Sequence, residues 1–226
     1  MKNRVITIWR DPYNEGFNTC RRKEVTLNSG LTVLVGCNGA GKSTMLQNIK
    51  DDLDHNVPCM LFDNQANTDY AFQKGFNIDY GMLATYKASS EGERITLNIG
   101  KLATKLREFI FKGESGEDRE RRLLWNDSEK EVNFINERWL LLDAVDSGYS
   151  IDNVIELKSL FKLIIEDSKK LGVDVYIVIA ANEYELANNE NCLDVMEGKY
   201  VTFKDYEDYK QFILNTRKKK DKRYNK

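Results

Sequence analysis

The stretch Gly36 to Thr44 limits what this chain can become more than any other. It runs G-C-N-G-A-G-K-S-T, directly after the apolar residues Leu31, Val33, Leu34 and Val35. Gly36, Gly39 and Gly41 allow positive φ angles and a close approach of backbone to ligand that a Cβ would obstruct. The stretch fits G-x-x-x-x-G-K-[ST], in which successive backbone N–H groups wrap around a phosphate. Gly36, Asn38, Gly39, Ala40, Gly41, Lys42, Ser43 and Thr44 are therefore the expected lining of an anion site. Within it Lys42 supplies a point charge for the outer phosphates and Ser43 a hydroxyl for Mg2+, while the helix starting here aims its positive end at the anion. Met45, Leu46, Ile49 and Leu53 make that helix amphipathic. The expectation is a protein that binds a nucleoside triphosphate, with Mg2+ carried in by the nucleotide.

At 226 residues and 41% hydrophobic content, one α/β domain with a buried core is expected. No stretch approaches the roughly 18 unbroken apolar residues of a membrane span, and the N-terminus shows no signal-peptide pattern, so the expected location is cytoplasmic, away from membranes. Cys20, Cys37, Cys59 and Cys192 lack paired metal spacing, and Cys37 lies inside the glycine-rich loop, so all four are expected to be reduced thiols. His55 is the single histidine, which argues against a histidine-rich zinc centre. Charge is uneven: Arg217 to Lys226 carries a net +6, leaving −8 on the rest of a chain at −2. Residues 1–215 are expected to form the domain and 216–226 a basic tail, either a DNA contact or a solvated, frayed terminus.

Along the chain, Val5, Ile6, Ile8 and Trp9 predict a strand that forms an antiparallel β hairpin with a second one around Val25 and Leu27. Tyr13 and Phe17, in the connecting loop, either stack on adenine or pack the turn. Val57 to Phe62 predicts a buried strand, followed by Asp63-Asn64-Gln65 at the end where open α/β sheets bind ligands. Gln65 reads either as a sensor of the magnesium or terminal phosphate or as a surface glutamine. Ser90 and Glu93 form an S-x-x-E capping box ahead of a helix with Ile95, Ile99, Leu102, Leu106 and Ile110 on one face. Gly92 is discordant there, since glycine in a first helical turn costs up to about 1 kcal/mol; close approach by another group would explain it. Gly113 to Arg138 is dominated by charge and turn residues and reads as an exposed insertion. Trp139 to Leu142 predicts a buried strand ending in Asp143, a carboxylate placed to orient Mg2+. A helix capped by Ser150 follows, with Val154, Leu157, Phe161 and Ile164 inward and Gly172 as its stop. Val175 to Ala180 predicts another buried strand, ending before Asn182. Cys192 to Val195 and Tyr200 to Phe203 predict a closing hairpin, and Tyr206, Tyr209, Phe212 and Ile213 a terminal helix. The expected fold is a mainly parallel sheet with helices on both faces plus the N-terminal antiparallel hairpin.

The order of these parts resembles the ATPase heads of the ABC type: a GxNGxGKST loop, an S-x-G-E helix start, an apolar strand ending in Asp, an S-G-x-S turn and a final apolar strand with a polar residue after it. Within them the chain is most similar to the SMC, RecF and double-strand-break-repair branch, including small phage-type ATPases grouped with the AAA proteins. That resemblance implies a P-loop fold in which Lys42 and Ser43 bind phosphate and magnesium, Gln65 is the Q-loop residue, Asp143 the Walker B carboxylate, and Ser90, Gly92 and Glu93 the signature motif. It also implies a homodimer in which the signature of one subunit completes the nucleotide site of the other. Two positions depart from the family pattern. Ala144 stands where a catalytic glutamate is usual, and Asn182 where a switch histidine is usual. Asp146 is the nearest carboxylate that could take the glutamate's place. The interval between Lys42 and Ser90 is too short for coiled-coil arms, which leaves a bare head. The implied activity is slow ATP hydrolysis that times a dimer within a DNA-processing or partner-protein complex. The alternative is a nucleotide-gated binding module that has lost hydrolysis. A small-molecule kinase is disfavoured, because no acceptor pocket or arginine-bearing lid is discernible.

Overall fold

A computed structural model of the chain describes residues 2–9, 20–63, 91–113 and 136–224. β1 (Asn3–Thr7) and β2 (Glu24–Asn28) pair antiparallel as a separate two-stranded sheet. After them come β3 (Gly30–Val35), α1 (Lys42–Asp52), β4 (Cys59–Asp63), α2 (Glu91–Lys112), β5 (Glu137–Asp143), α3 (Ile151–Lys170) and β6 (Asp174–Ala180). The short α4 (Tyr184–Ala187), β7 (Asn191–Asp194), β8 (Lys199–Val201) and α5 (Tyr206–Tyr224) complete the described chain.

The main sheet has six strands in the order β4-β5-β6-β3-β7-β8. All neighbours are parallel except β7 and β8, which form an antiparallel edge. β3, β5 and β6 are aliphatic at both odd and even positions, and their interior residues are buried on either side, as strands covered on both faces must be. One face packs Leu31, Val33, Leu140, Leu142, Ile177 and Ile179 against α2 and α3, whose Leu106, Phe109, Val154, Leu157, Phe161 and Ile164 match a helical period. The other face packs Leu34, Leu141, Val178 and Val195 against Met45, Leu46 and Ile49 of α1 and against Ile6 and Leu27 of the hairpin. On that second face the cross-strand neighbours Trp139 and Tyr176 stack with ring centroids 4.2 Å apart and 2° between planes. The expected α/β architecture, with a mainly parallel sheet and an N-terminal hairpin, is what the structure contains.

Two expectations need correction. Arg138, assigned above to an exposed insertion, is the second residue of β5 and only 2% exposed. Its guanidinium lies where a Cβ on Gly113 would come within 2.8 Å of it, and Nη1 donates to Glu137 O. A charged residue beside a polar run conceals the start of a strand, because its long stem packs while its head finds backbone acceptors. The second correction concerns residues 216–226: α5 runs without a break through Arg217 to Arg223. Lysine and arginine are good helix formers and, in a last turn, complement the helix dipole. The rest of the predicted insertion, residues 114–135, lies outside the described residues.

Register brings the functional ends of the strands together. Leu34 of β3 pairs with Ala180 of β6, and Ala180 pairs with Asp143 of β5. Neighbouring strands lie about 4.8 Å apart, so the segments leaving β3, β6 and β5 emerge side by side at one edge of the sheet. This is also where the chain order reverses, since β3 is flanked by β6 on one side and β7 on the other.

Candidate functional site

The loop after β3 is a tight crown of backbone. Gly36 has φ 154°, and a Cβ there would meet Ala40 Cβ at 3.0 Å and Val195 Cγ2 at 3.2 Å, so no other residue fits without displacement. Ala40 N donates to Cys37 O (3.0 Å), closing a turn inside the loop. Gly41, at φ 98°, is the N-cap of α1 and supplies no side-chain cap; the first turn contains no acidic residue. The first helical bond is Met45 N to Gly41 O at 2.9 Å, which places the N–H groups of Lys42, Ser43 and Thr44 outside the helical ladder. Donors in that position, at the positive end of a helix, are suited to an anion.

Lys42 turns back over this crown, its Nζ donating to Gly36 O at 2.9 Å. Burial pushes its ammonium below the ordinary lysine range, opposed by attraction from Cys37, Asp146 and Asp143. Lys42 and both carboxylates therefore share one electrostatic neighbourhood. Asp143 is half-buried at the end of β5. Ser43, Thr44 and Asn38 are exposed around the crown. Asn48 of α1 ties the hairpin to this helix: its Oδ1 accepts from Trp9 N and its Nδ2 donates to Thr44 O, both at 2.9 Å.

The turn after Asp143 is unusual. Ala144 adopts φ 50°, a left-handed conformation that costs a residue with a Cβ about 1–2 kcal/mol, and its N–H donates to Ala180 O at 3.1 Å. Two residues on, Asp146 is 3% exposed. Its Oδ2 accepts from both Asn182 N and Glu183 N at 2.7 Å, whereas Oδ1 is buried with no hydrogen-bond partner. Asn182 O in turn accepts from the Tyr209 hydroxyl of α5 at 3.0 Å, and the Asn182 side chain is exposed. Asp146, nominated above as a substitute base, thus links the turn after β5 to the turn after β6 through Oδ2, with Oδ1 left over.

Of the other expected site residues, Gln65 and Ser90 lie outside the described residues, as do Tyr13 and Phe17. Gly92 and Glu93 fall in the first turn of α2. Sequence reasoning predicted the start of α5 but missed that the helix continues past Thr216 and reaches the glycine-rich loop. Cys37 N donates to Thr216 Oγ1 (3.1 Å), Lys220 Nζ donates to Asn38 O (2.9 Å), and Lys219 pairs with Glu197 at 3.3 Å. The available signal was the spacing of Tyr209, Ile213, Thr216 and Lys220, which continues one helical face into the basic run.

Among the described residues, no three His, Cys, Asp or Glu side chains gather into a metal site. The uncapped helix start, the loop that admits no Cβ at Gly36, the ammonium drawn over it and the nearby carboxylates together fit a magnesium-bound triphosphate. All four cysteines are free thiols, and burial pushes those of Cys59 and Cys192 up to about 12. No helix among the described residues is long and apolar enough to cross a membrane. No protein-family model matches the chain, and no curated protein matches it.

Proposed function

We propose that the chain is an ATP-binding switch of the ABC and SMC-like type, with a P-loop fold, that dimerises on ATP and hydrolyses it slowly within a DNA-processing or partner-protein complex. The observation that carries this reading is the crown at Gly36 to Thr44, with an uncapped helix start behind it and the Lys42 ammonium held over it. Lys42 and the loop N–H groups would hold the phosphates, Ser43, Asp143 and Gln65 the magnesium ion. Ser90, Gly92 and Glu93 would face the site of the opposite subunit, where the backbone at a helix start can donate to a phosphate. The bound nucleotide supplies the anhydride to be cleaved; the chain's own part is to bind, orient and exclude water. Light scattering of the purified chain with ATP and Mg2+ is expected to show a mass twice that seen without nucleotide. A monomer under saturating ATP, with binding confirmed, would remove the shared site from this reading.

One observation favours a second reading, a nucleotide-gated module without turnover. Ala144 has no carboxylate, and the Oδ2 of Asp146 is committed to two backbone N–H groups. A positioned general base typically contributes about 10²–10⁴-fold, so its absence accounts for slow hydrolysis or for none. Single-turnover phosphate release that disappears in Lys42→Ala supports the enzyme; no release by the intact protein supports the module.

A further inference from the structure

The glycine-rich loop is touched by a second lysine, which lies far from it in the chain. The Lys220 Nζ donates to Asn38 O at 2.9 Å and stands 3.2 Å from where a Cβ on Gly39 would lie. A lysine head group on a flexible stem usually stays in water; this one is half-buried and delivered by an anchored helix. Tyr209, Thr216 and Lys220 are spaced seven and four residues apart, so they share one face of α5. Each reaches the candidate site: Tyr209 through Asn182 O, Thr216 through Cys37 N and Lys220 through Asn38 O. Neighbouring cations are engaged otherwise, Lys219 with Glu197 and Arg217 with Asp221, whereas Lys220 has no ion pair among the described residues. Its ammonium has three donors, one of them satisfied by a neutral carbonyl of the loop.

We propose that Lys220 is a second phosphate-binding lysine, which turns from the Asn38 carbonyl to the terminal phosphate of a bound nucleoside triphosphate and makes the site prefer triphosphate to diphosphate. The inference rests on the nucleotide reading above. A phosphate oxygen is a stronger acceptor for an ammonium than a peptide carbonyl, so the exchange is favourable once a terminal phosphate is present. A Cβ on Gly39 would crowd the ammonium at 3.2 Å, so the glycine leaves Nζ room above the loop.

The test is a set of fluorescence titrations of the full chain with methylanthraniloyl-ATP and methylanthraniloyl-ADP in the presence of Mg2+, for the wild type, Lys220→Met, Lys220→Arg and Lys218→Gln. Lys220→Met keeps the stem and is expected to weaken triphosphate binding about tenfold and diphosphate binding less than about twofold, the size of one charge-assisted hydrogen bond. Lys220→Arg should retain most of the preference, and Lys218→Gln should change neither affinity. Equal weakening of both nucleotides would overturn the proposal in favour of a packing role for the helix, and unchanged affinities would overturn it outright. If Lys220→Met melts early, the ratio of the two affinities in Lys220→Arg and in Lys220→Gln decides in the same way. A wild type that binds neither nucleotide would instead overturn the nucleotide reading itself.

Discussion

Replacing Lys42 with alanine is expected to weaken binding of magnesium-ATP by on the order of 10²-fold, the upper range for loss of charge-assisted hydrogen bonds to a phosphate. The same substitution should not destabilise the protein without nucleotide. In that state the ammonium is partly desolvated and donates to one acceptor, Gly36 O. A lysine held below its ordinary range favours the folded state less when charged. The penalty is therefore fully present at neutral pH, and it fades as pH rises through the depressed folded value toward that of an ordinary lysine. Lys42→Met, which keeps the stem, is accordingly expected to melt no lower than the wild type at pH 7. Stability unchanged or raised with binding lost is the signature of a residue kept for its ligand. Wild-type affinity in Lys42→Ala would place the nucleotide elsewhere.

Asp146→Ala should have the opposite profile, a large loss of stability. It removes an ionised acceptor shared by Asn182 N and Glu183 N, two bonds of 2.7 Å in a site that is nearly closed to water. Hydrogen bonds to a charged group contribute about 1.5–3 kcal/mol each, and two sharing one oxygen fall short of the sum, so a loss of about 3 kcal/mol is expected. For a chain of this size that corresponds to a melting temperature lower by about 6–12 °C. Asp146→Asn retains a carbonyl oxygen able to accept both bonds and should lose about 1 kcal/mol. The asparagine variant also separates the two roles of the carboxylate. Phosphate release that persists in Asp146→Asn leaves Asp146 a strut; release that vanishes while the fold holds makes it the base that Ala144 cannot be. A melting temperature unchanged in Asp146→Ala would show that the two turns are held by other contacts.

The strands and the loop were legible because each is governed by local chemistry. Three glycines, one lysine and an apolar run define the crown, and short runs rich in Leu, Val and Ile, buried at odd and even positions alike, define strands covered on both faces. Asp143 was legible for the same reason, as a carboxylate closing such a run. What escaped was long-range. Nothing local in Asp146 shows that its partners lie 36 and 37 residues away, since any short acidic turn has the same composition. The charge of Arg138 suggests exposure, yet its head group is accommodated by Gly113 and a backbone carbonyl. The basic run after Thr216 resembles a solvated tail in sequence, and only the fold reveals that Thr216 and Lys220 lie 179 and 182 residues from their loop partners in sequence while touching them in space. The left-handed Ala144 was equally invisible, because alanine has no preference for that conformation.

Calorimetric titration of the full chain with ATP, and separately with AMP, in the presence of Mg2+ tests nucleotide binding at Gly36 to Thr44 most directly. Saturable binding of ATP with one site per chain, weaker binding of AMP by on the order of 10²-fold, and loss of the ATP signal in Lys42→Ala is the predicted result. Equal affinity for ATP and AMP, or wild-type ATP affinity in Lys42→Ala, would contradict it.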